Sequence, residues 1–568
     1  MLILGIQNDN DSGICVMRNG EIVEAVSEER FSRVKLQAGI PFLSLKYIQE
    51  KYGFALSDFD YIVYSWYSKK NNYGAYAEKL SSRVIDAVAN EGEVVAPVIF
   101  ERIRTEFERD EVVRENFDAW LKENNIPAQK VVYLDHHSTH AWSAYSISPY
   151  KDSFVFTSDG RGDLKSTAAF IAAEKEGVTE IDSLLSFDSL GFLYGQITGY
   201  LGFTPHRHEG KVTGLAAFGD AEKTLPIFKK VIDWRNDTIQ SDLTYFNPFY
   251  TNLPKKFTNL LEKQTKEDIA AGLQTHCENL LVKYIRFWIS KLNRPEIKTI
   301  CLAGGIFGNV KINQRIREIK GVEGVFVAPH MGDGGLPLGS VCYQNFLLTG
   351  KAKVNFETAY LGPGYSNEEV EAALNAFTGE VVFDKFTDKI QQVTELLKQK
   401  KVVGYFEGRM EYGPRALGAR SIIHPALDRT SNDWLNKRLN RTEFMPFAPV
   451  TPIEYAAESY VGWSKNDVCA HFMTMTYDCT DSFARMHQAV THVDQTARPQ
   501  IVQEGVNKDY YKITKAYCDQ TGERALMNTS FNAHEEPIVC SPTDAIRSLI
   551  NGCIDILVLE NYQVELKK

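Results

Sequence analysis

The sequence predicts an α/β protein built from two domains. Three observations carry that expectation. A length of 568 residues exceeds what one hydrophobic core usually organises. Apolar strand candidates run repeatedly into a glycine or carboxylate turn and then into a helix-spaced stretch. A turn-rich interruption at 349–366, TGKAKVNFETAYLGPGYS, is followed by a second series of the same kind. The boundary is placed near residue 355, giving domains 1–355 and 356–568.

The chain opens on a hairpin. Residues 1–7 and 14–17 are apolar-rich strands, and Asn19-Gly20 supplies a left-handed turn before a third strand at 21–26. A charge-rich helical stretch covers about 73–124. The strand VVYL at 131–134 leads straight into DHHSTHAWSAY, whose spacing suits a helix. SFVFTSD ends at Asp159 in the loop DGRGD, and KTICLAGG ends at Gly304-Gly305 before a helix over NVKINQRIREI. Asp333-Gly334-Gly335 precedes a helix starting near Gly339. Beyond the interruption, helices are expected near 367–377 and 388–400, and the strand VVGYFEG then enters a basic loop. Ligands of such folds gather at the carboxyl ends of the strands, where these loops lie.

A net charge of −10 and a pI near 5.8 argue against broad electrostatic binding of nucleic acid. No stretch approaches the roughly 20 apolar residues that span a bilayer. MLILGIQ is too short for a signal-peptide core and lacks a basic lead-in. Nine cysteines without CxxC pairs read as reduced thiols. The expectation is a cytoplasmic protein, monomer or homodimer, with neither membrane nor nucleic-acid partner.

His136 and His140 are four residues apart. On a helix that spacing puts both imidazoles on one face, about 6 Å apart along the axis, suited to two ligands of one metal. Asp159 and Asp333 each follow a strand in a glycine-rich loop from which a carboxylate can reach a shared centre. Two imidazoles with one or two carboxylates suit iron, zinc or manganese. An HxxxH pair alone more often caps or packs; the two aspartate loops are what raise it to a metal candidate.

Gly304-Gly305-Ile306-Phe307-Gly308-Asn309 joins a buried strand to a helix, a place where a nucleotide can approach the backbone and a phosphate meets the helix N-terminus. GDGG at 332–335 and DNDSG at 9–13 repeat the logic. Three such loops, each after a strand, resemble the nucleotide cradle of the actin-like ATPase fold. HEGK, ending in Lys211, adds charge in a glycine-rich stretch, as a solvated loop would too.

In the second domain Arg409, Arg415 and Arg420 fall in GRMEYGPRALGARSI. Lys437, Arg438 and Arg441 fall in NKRLNRTEFMPFAP, and Arg498 in HVDQTARPQ. MNTSFNAHEEPIV offers Asn528, Thr529, Ser530 and Asn532. Two unit charges 4 Å apart repel by about 4 kcal/mol at an effective dielectric near 20. Seven cations that converged would need an anion, and several phosphates would serve.

These strings, with EERFSRVK, HEGKVTGLAAFG and GDGGLPLG, together resemble the NodU/CmcH type of O-carbamoyltransferase over nearly the whole chain. The resemblance implies an N-terminal actin-like (ASKHA) domain similar to the tRNA threonylcarbamoyl transferases, with a metal, and a C-terminal YrdC-like α/β domain. It implies that carbamoyl phosphate and ATP, with Mg2+, give carbamoyl-adenylate, and that the carbamoyl group then passes to a hydroxyl of a small-molecule, natural-product acceptor. Carried over by motif, His136, His140 and Asp333 hold the metal with Asp159 as a further ligand, iron being the first choice. Gly304, Gly305 and Asn309 bind the adenylate. Arg415, Lys437, Arg441, Arg498, Ser530 and Asn532 bind ATP and carbamoyl phosphate.

Two departures stand out. Family members usually carry a histidine before the aspartate of the first hairpin loop, whereas here Asn10 precedes Asp11. Asp11 is therefore expected to act as the base, with Asp9 or His208 as alternatives; Asn10 and Lys211 complete the expected catalytic set. Glu535 stands where glycine is usual. The rival readings are a tRNA threonylcarbamoyl-type enzyme, which the acidic balance and domain order oppose, and a non-catalytic nucleotide-binding protein of actin-like fold, which leaves the basic loops without a purpose.

Overall fold

A computed structural model describes residues 1–66, 77–247, 253–439, 446–533 and 535–567. The chain divides into two compact units. One comprises residues 1–21, 38–41 and 48–355, the other residues 22–37, 42–47 and 356–568.

Residues 1–355 hold two sheets. One is formed by β1 (Leu2–Gln7), β2 (Gly13–Arg18), β3 (Glu21–Ser27), β4 (Tyr61–Tyr64) and β5 (Val131–Tyr133), in the order β3-β2-β1-β4-β5. β1 pairs antiparallel with β2 and parallel with β4, and β4 pairs parallel with β5. Asn19 and Gly20 between β2 and β3 have φ of 54° and 87°, the left-handed turn that the dipeptide dictates.

The second sheet uses β6 (Asp152–Gly162), β7 (Lys165–Ala173) and β8 (Gly177–Leu185). A hairpin of β9 (Ile232–Arg235) and β10 (Thr238–Ser241) intervenes before β11 (Thr299–Ala303) and β12 (Gly324–Val327). Its order is β8-β7-β6-β11-β12, with β6, β7 and β8 antiparallel and β11 and β12 parallel additions. The two sheets thus share one order and one sense pattern. That duplication is the actin-like arrangement expected for this half of the chain.

The helix His136–Tyr145 starts where Asp135 accepts the Ser138 N–H at 2.8 Å. It packs against the helix Leu336–Thr349, and Gly339 makes the approach possible: a Cβ there would fall 2.0 Å from the Thr139 carbonyl oxygen. The charge-rich stretch expected at 73–124 is not one helix. It is two, Ala77–Glu91 and Ala96–Glu123, parted at Gly92 with φ of 90°, and the expected start lies outside the described residues. Among the described residues no helix is long and apolar enough to cross a membrane. All nine cysteines are buried free thiols.

Residues 350–366 carry neither helix nor strand. Ser366 and Glu369 then form a capping box that starts the helix Asn367–Ala376. The second unit is built on one mixed sheet of eight strands. Its members are β13 (Val381–Lys385), β14 (Val403–Phe406), β15 (Arg420–Pro425), β16 (Ala448–Pro452), β19 (Gln500–Val502), β20 (Leu526–Ser530), β21 (Ile556–Leu559) and β22 (Tyr562–Leu566). The short pair β17 (Tyr477–Asp478) and β18 (Thr496–Ala497) lies apart from it. The order is β13-β22-β21-β14-β15-β20-β16-β19. Leu397, Tyr405, Ile423, Tyr510 and Leu526 meet in its core.

Candidate active site

Four side chains of the first unit converge. His136 and His140 come from one face of the helix after β5, Asp159 from the end of β6 and Asp333 from the turn after β12. One ligand atom from each lies within 4.8 Å of the others. His140 Nε2 is 3.2 Å from Asp159 Oδ2 and 3.4 Å from Asp333 Oδ1; His136 Nε2 is 3.5 Å from the same Asp333 oxygen. Both imidazoles are fully buried, and neither Nε2 makes a hydrogen bond of acceptable geometry.

The electrostatics of this cluster are those of a site built for a cation. Burial disfavours the charged form of His140, but the flanking Asp159 and Asp333 outweigh it and push the imidazole up to about 9. His136 is driven well down by burial and by the two neighbouring histidines. Burial and repulsion from Asp159 raise Asp333 to about 7. Against its own burial, Asp159 is held low by His140 and His136. A divalent cation would accept from both orphaned imidazole nitrogens and relieve the carboxylate repulsion, so the donor set fits the metal that was expected there.

The surroundings fix these groups. Gly162 is required because a Cβ there would fall 2.1 Å from the His136 ring. The Gly160 N–H donates to Asp159 Oδ1 at 2.7 Å and the Gly305 N–H to Oδ2 at 3.2 Å. Gly304, at φ of 103°, could not carry a Cβ, which would lie 2.2 Å from the Ser158 carbonyl oxygen. Asn309 is already engaged. Its Nδ2 donates to Gln274 Oε1 at 2.7 Å and Thr213 Oγ1 at 3.2 Å, while its Oδ1 caps the next helix at the Ile312 N–H. Lys211 is buried on the short helix Glu209–Leu215.

Asn10 is exposed at the tip of the first hairpin loop, and Asp11 beside it is partly buried. Asp9 is held by both oxygens on Arg109, at 3.1 Å each. Trp66 lies 4.6 Å, centroid to centroid, from the His136 ring. With Asp9, Tyr64, Asp110, Val113 and Arg114 it lines a small pocket. Arg161 donates to Asp110 at 2.7 Å. Arg102, Glu106, Asp110 and Arg114 of the charge-rich stretch are all buried.

In the second unit the basic loop is organised by a residue that sequence reasoning passed over. Buried Glu411 accepts the backbone N–H groups of Leu417, Ala419 and Arg420 on a single oxygen, at 2.7, 2.7 and 3.0 Å. Asn528 ties three segments together, donating to the Ala416 carbonyl at 3.1 Å and to Gln500 Oε1 at 2.7 Å. Gln500 in turn donates to the Leu417 carbonyl at 2.6 Å. Within this frame Arg415 is driven well below its ordinary range by burial and by repulsion from Arg498.

The convergence of all seven is corrected. Arg420 is fully buried and spends its guanidinium on the carbonyls of Glu407, Gly408, Ala419 and Pro363. Arg409 donates to the carbonyls of Gly362 and Val23 and pairs with Glu24. Arg438 donates to the Gly552 carbonyl and pairs with Asp555 at 2.9 Å. Loop carbonyls, not phosphates, hold these three. Lys437 is exposed at the end of a helix, and Arg441 lies outside the described residues. Ser530 ends β20 opposite Ser421. Asn532 closes its own loop through the carbonyls of Ala533 and Glu536.

Comparison with known proteins agrees with this geometry. The family model described as carbamoyltransferase N-terminus matches residues 2–342, and that described as carbamoyltransferase C-terminus matches residues 394–566. An uncharacterized protein of Methanocaldococcus jannaschii is 31% identical, covering 99% of this chain and 99% of its own length. Nodulation protein NolNO of Sinorhizobium fredii is 30% identical over 98% of this chain and 79% of its own. Among solved structures, HypF of T. kodakarensis aligns with 61% of this chain and 48% of its own at 11% identity. Its TM-score is 0.35.

Proposed function

The chain belongs to the carbamoyltransferase family, and from that premise we propose that it forms carbamoyl-adenylate from carbamoyl phosphate and ATP and transfers the carbamoyl group to a hydroxyl of a small-molecule acceptor. The second unit, read as YrdC-like, makes the intermediate. The first unit consumes it.

The observation that carries this reading is the loop held by Glu411 and Asn528, in which Arg415 is buried and feels the charge of Arg498. A buried cation near a second one suits an anionic ligand, and a triphosphate or carbamoyl phosphate is such a ligand. As pyrophosphate departs, the same cations oppose the charge that builds on it. Adenylation matters because a carbamate is a poor electrophile without a good leaving group.

In the first unit His136, His140, Asp159 and Asp333 would hold a divalent metal, iron before zinc or manganese. Such an ion supplies charge neutralisation at the departing phosphate. The glycine loops at 304–305 and 334–335 let the adenylate approach the backbone, and the Gly305 N–H keeps Asp159 oriented. The acceptor is taken to approach on the side of His136 that Trp66 flanks. Asp11, in the neighbouring hairpin loop, takes the acceptor's proton. The buried thiols and acidic balance suit a cytoplasmic enzyme.

The test is incubation of the full chain with ATP and carbamoyl phosphate. AMP and pyrophosphate accumulate together if the reading holds, and Arg415→Ala suppresses both. Release of ADP and phosphate, or no turnover of ATP in the presence of carbamoyl phosphate, counts against it.

A further inference from the structure

Resting on the transfer reading above, we propose that His330 is the positioning residue of Asp11, holding that carboxylate in the attitude from which it takes the acceptor's proton. The juxtaposition joins positions far apart in the chain: the loop after β1 and the loop after β12. His330 Nε2 lies 3.6 Å from Asp11 Oδ2. Asp11 has φ of 54°, a backbone state that residues other than glycine adopt uncommonly. The loop therefore presents this side chain in a constrained way.

The pair is built into the metal loop. A Cβ at Gly334 would fall 2.2 Å from the His330 ring and 2.5 Å from Asp11 Oδ2. Only glycine leaves room for both, and Gly334 directly follows Asp333 of the metal cluster. A Cβ at Gly335 would fall 1.9 Å from the His330 carbonyl oxygen. On the other side, the Gly304 N–H donates to the Met331 carbonyl at 2.6 Å. The imidazole thus packs against Gly334 of the metal loop, and the backbone beside it is tied to the loop that carries Gly304.

Exposure assigns the roles. His330 is 6% exposed, whereas the Asp11 side chain is 16% exposed. The carboxylate is the member of the pair that an acceptor reaches, and the imidazole is the member that holds it. Asn10, next to Asp11, is exposed and has no imidazole to offer.

In the transfer step the acceptor oxygen bonds to the carbamoyl carbon of the adenylate and its proton passes to Asp11. The bond from that carbon to the AMP phosphate oxygen breaks, its electron pair leaving with AMP. Asp11 afterwards gives the proton to solvent. His330 Nε2 faces Asp11 Oδ2 across 3.6 Å throughout.

Two probes separate positioning from mere packing. Glycerol is a hydroxyl acceptor that needs a base, and hydroxylamine attacks an activated carbamoyl group without one. The full chain is supplied with ATP, carbamoyl phosphate and either probe, and glyceryl carbamate, hydroxyurea and pyrophosphate are measured. His330→Ala is expected to lower glyceryl carbamate by about 100-fold through kcat. Hydroxyurea, pyrophosphate and bound metal should stay within about threefold of wild type on the same footing. His330→Gln, whose amide N–H reaches toward Asp11, should restore most of the lost product. The proposal is overturned if His330→Ala lowers both products alike or neither, if His330→Gln restores nothing, or if wild type makes hydroxyurea but no glyceryl carbamate. Failure of the transfer reading looks different: wild type then releases no pyrophosphate.

Discussion

His140 Nε2 lies 3.4 Å from Asp333 Oδ1, and both atoms are buried without a hydrogen bond of acceptable geometry. Polar atoms so placed cost stability unless something satisfies them. A divalent ion would satisfy both, with His136 and Asp159 completing the set.

The first prediction concerns that ion. The purified chain should carry about one divalent metal, counted by plasma mass spectrometry. His140→Ala should lower metal affinity by well over tenfold, a ligand mattering more than the outer partners whose loss costs roughly 10–100-fold. Unchanged metal content in His140→Ala would place the metal elsewhere.

Gly162 offers a subtler test. Gly162→Ala forces a methyl to within 2.1 Å of the His136 ring unless something shifts. The expected outcome is a stability loss of about 1–3 kcal/mol with weakened metal binding. Denaturant melts read the first and metal titration the second.

Glu411 should govern affinity for the phosphorylated substrates. Glu411→Gln replaces a charged acceptor of three backbone N–H groups by a neutral one. Charge-assisted hydrogen bonds are worth about 1.5–3 kcal/mol. The loop holding Arg415 should loosen, and KM for carbamoyl phosphate should rise about tenfold or more, read from pyrophosphate release.

His487 predicts a pH dependence of stability. Its ring is fully buried, accepts the Arg524 N–H at 3.1 Å, and is lowered to about 4 by burial and the Arg524 charge. The unfolded chain binds this proton near pH 6.5 and the folded one does not until about pH 4. Stability from this group is therefore present above 6.5 and falls as pH drops through the window, by at most about 1.4 kcal/mol per pH unit. His487→Asn should flatten that part of the profile in urea melts taken at several pH values; an unchanged slope would contradict the assignment.

Much of this was legible in the sequence, and the reasons are physical. Helical periodicity alone places His136 and His140 on one face. Strand-then-glycine punctuation marks Gly304 and Asp333 as loop residues after strands, but Asp159 lies within β6, where its pairing with β7 shifts between Ser158 and Gly162, and not in a loop that ends the strand. Residue type could not say which arginines face a ligand: Arg409 and Arg420 share a glycine-rich string with Arg415 but are consumed by backbone carbonyls. Glu411 looks like any polar residue between Met410 and Tyr412, since its three partners are backbone N–H groups. The charge-rich string does not say which charges of the helix Ala96–Glu123 are buried, and the partner of Asp110, Arg161, lies on another element. His330 was invisible for the same reason, its partner Asp11 belonging to a distant loop. The duplicated sheet leaves no repeated string, because topology repeats in strand order and not in side chains.

Asp11 separates the two half-reactions. Asp11→Asn should abolish carbamoylation of a hydroxyl probe while pyrophosphate release continues. Loss of both would remove its separate role.

The most direct measurement is a rapidly quenched single turnover with ATP and carbon-13 carbamoyl phosphate, followed by mass spectrometry. The label should appear first on an AMP-bearing species and only then on the acceptor. Label reaching the acceptor while ATP yields ADP, with no labelled adenylate at any time, would contradict the account.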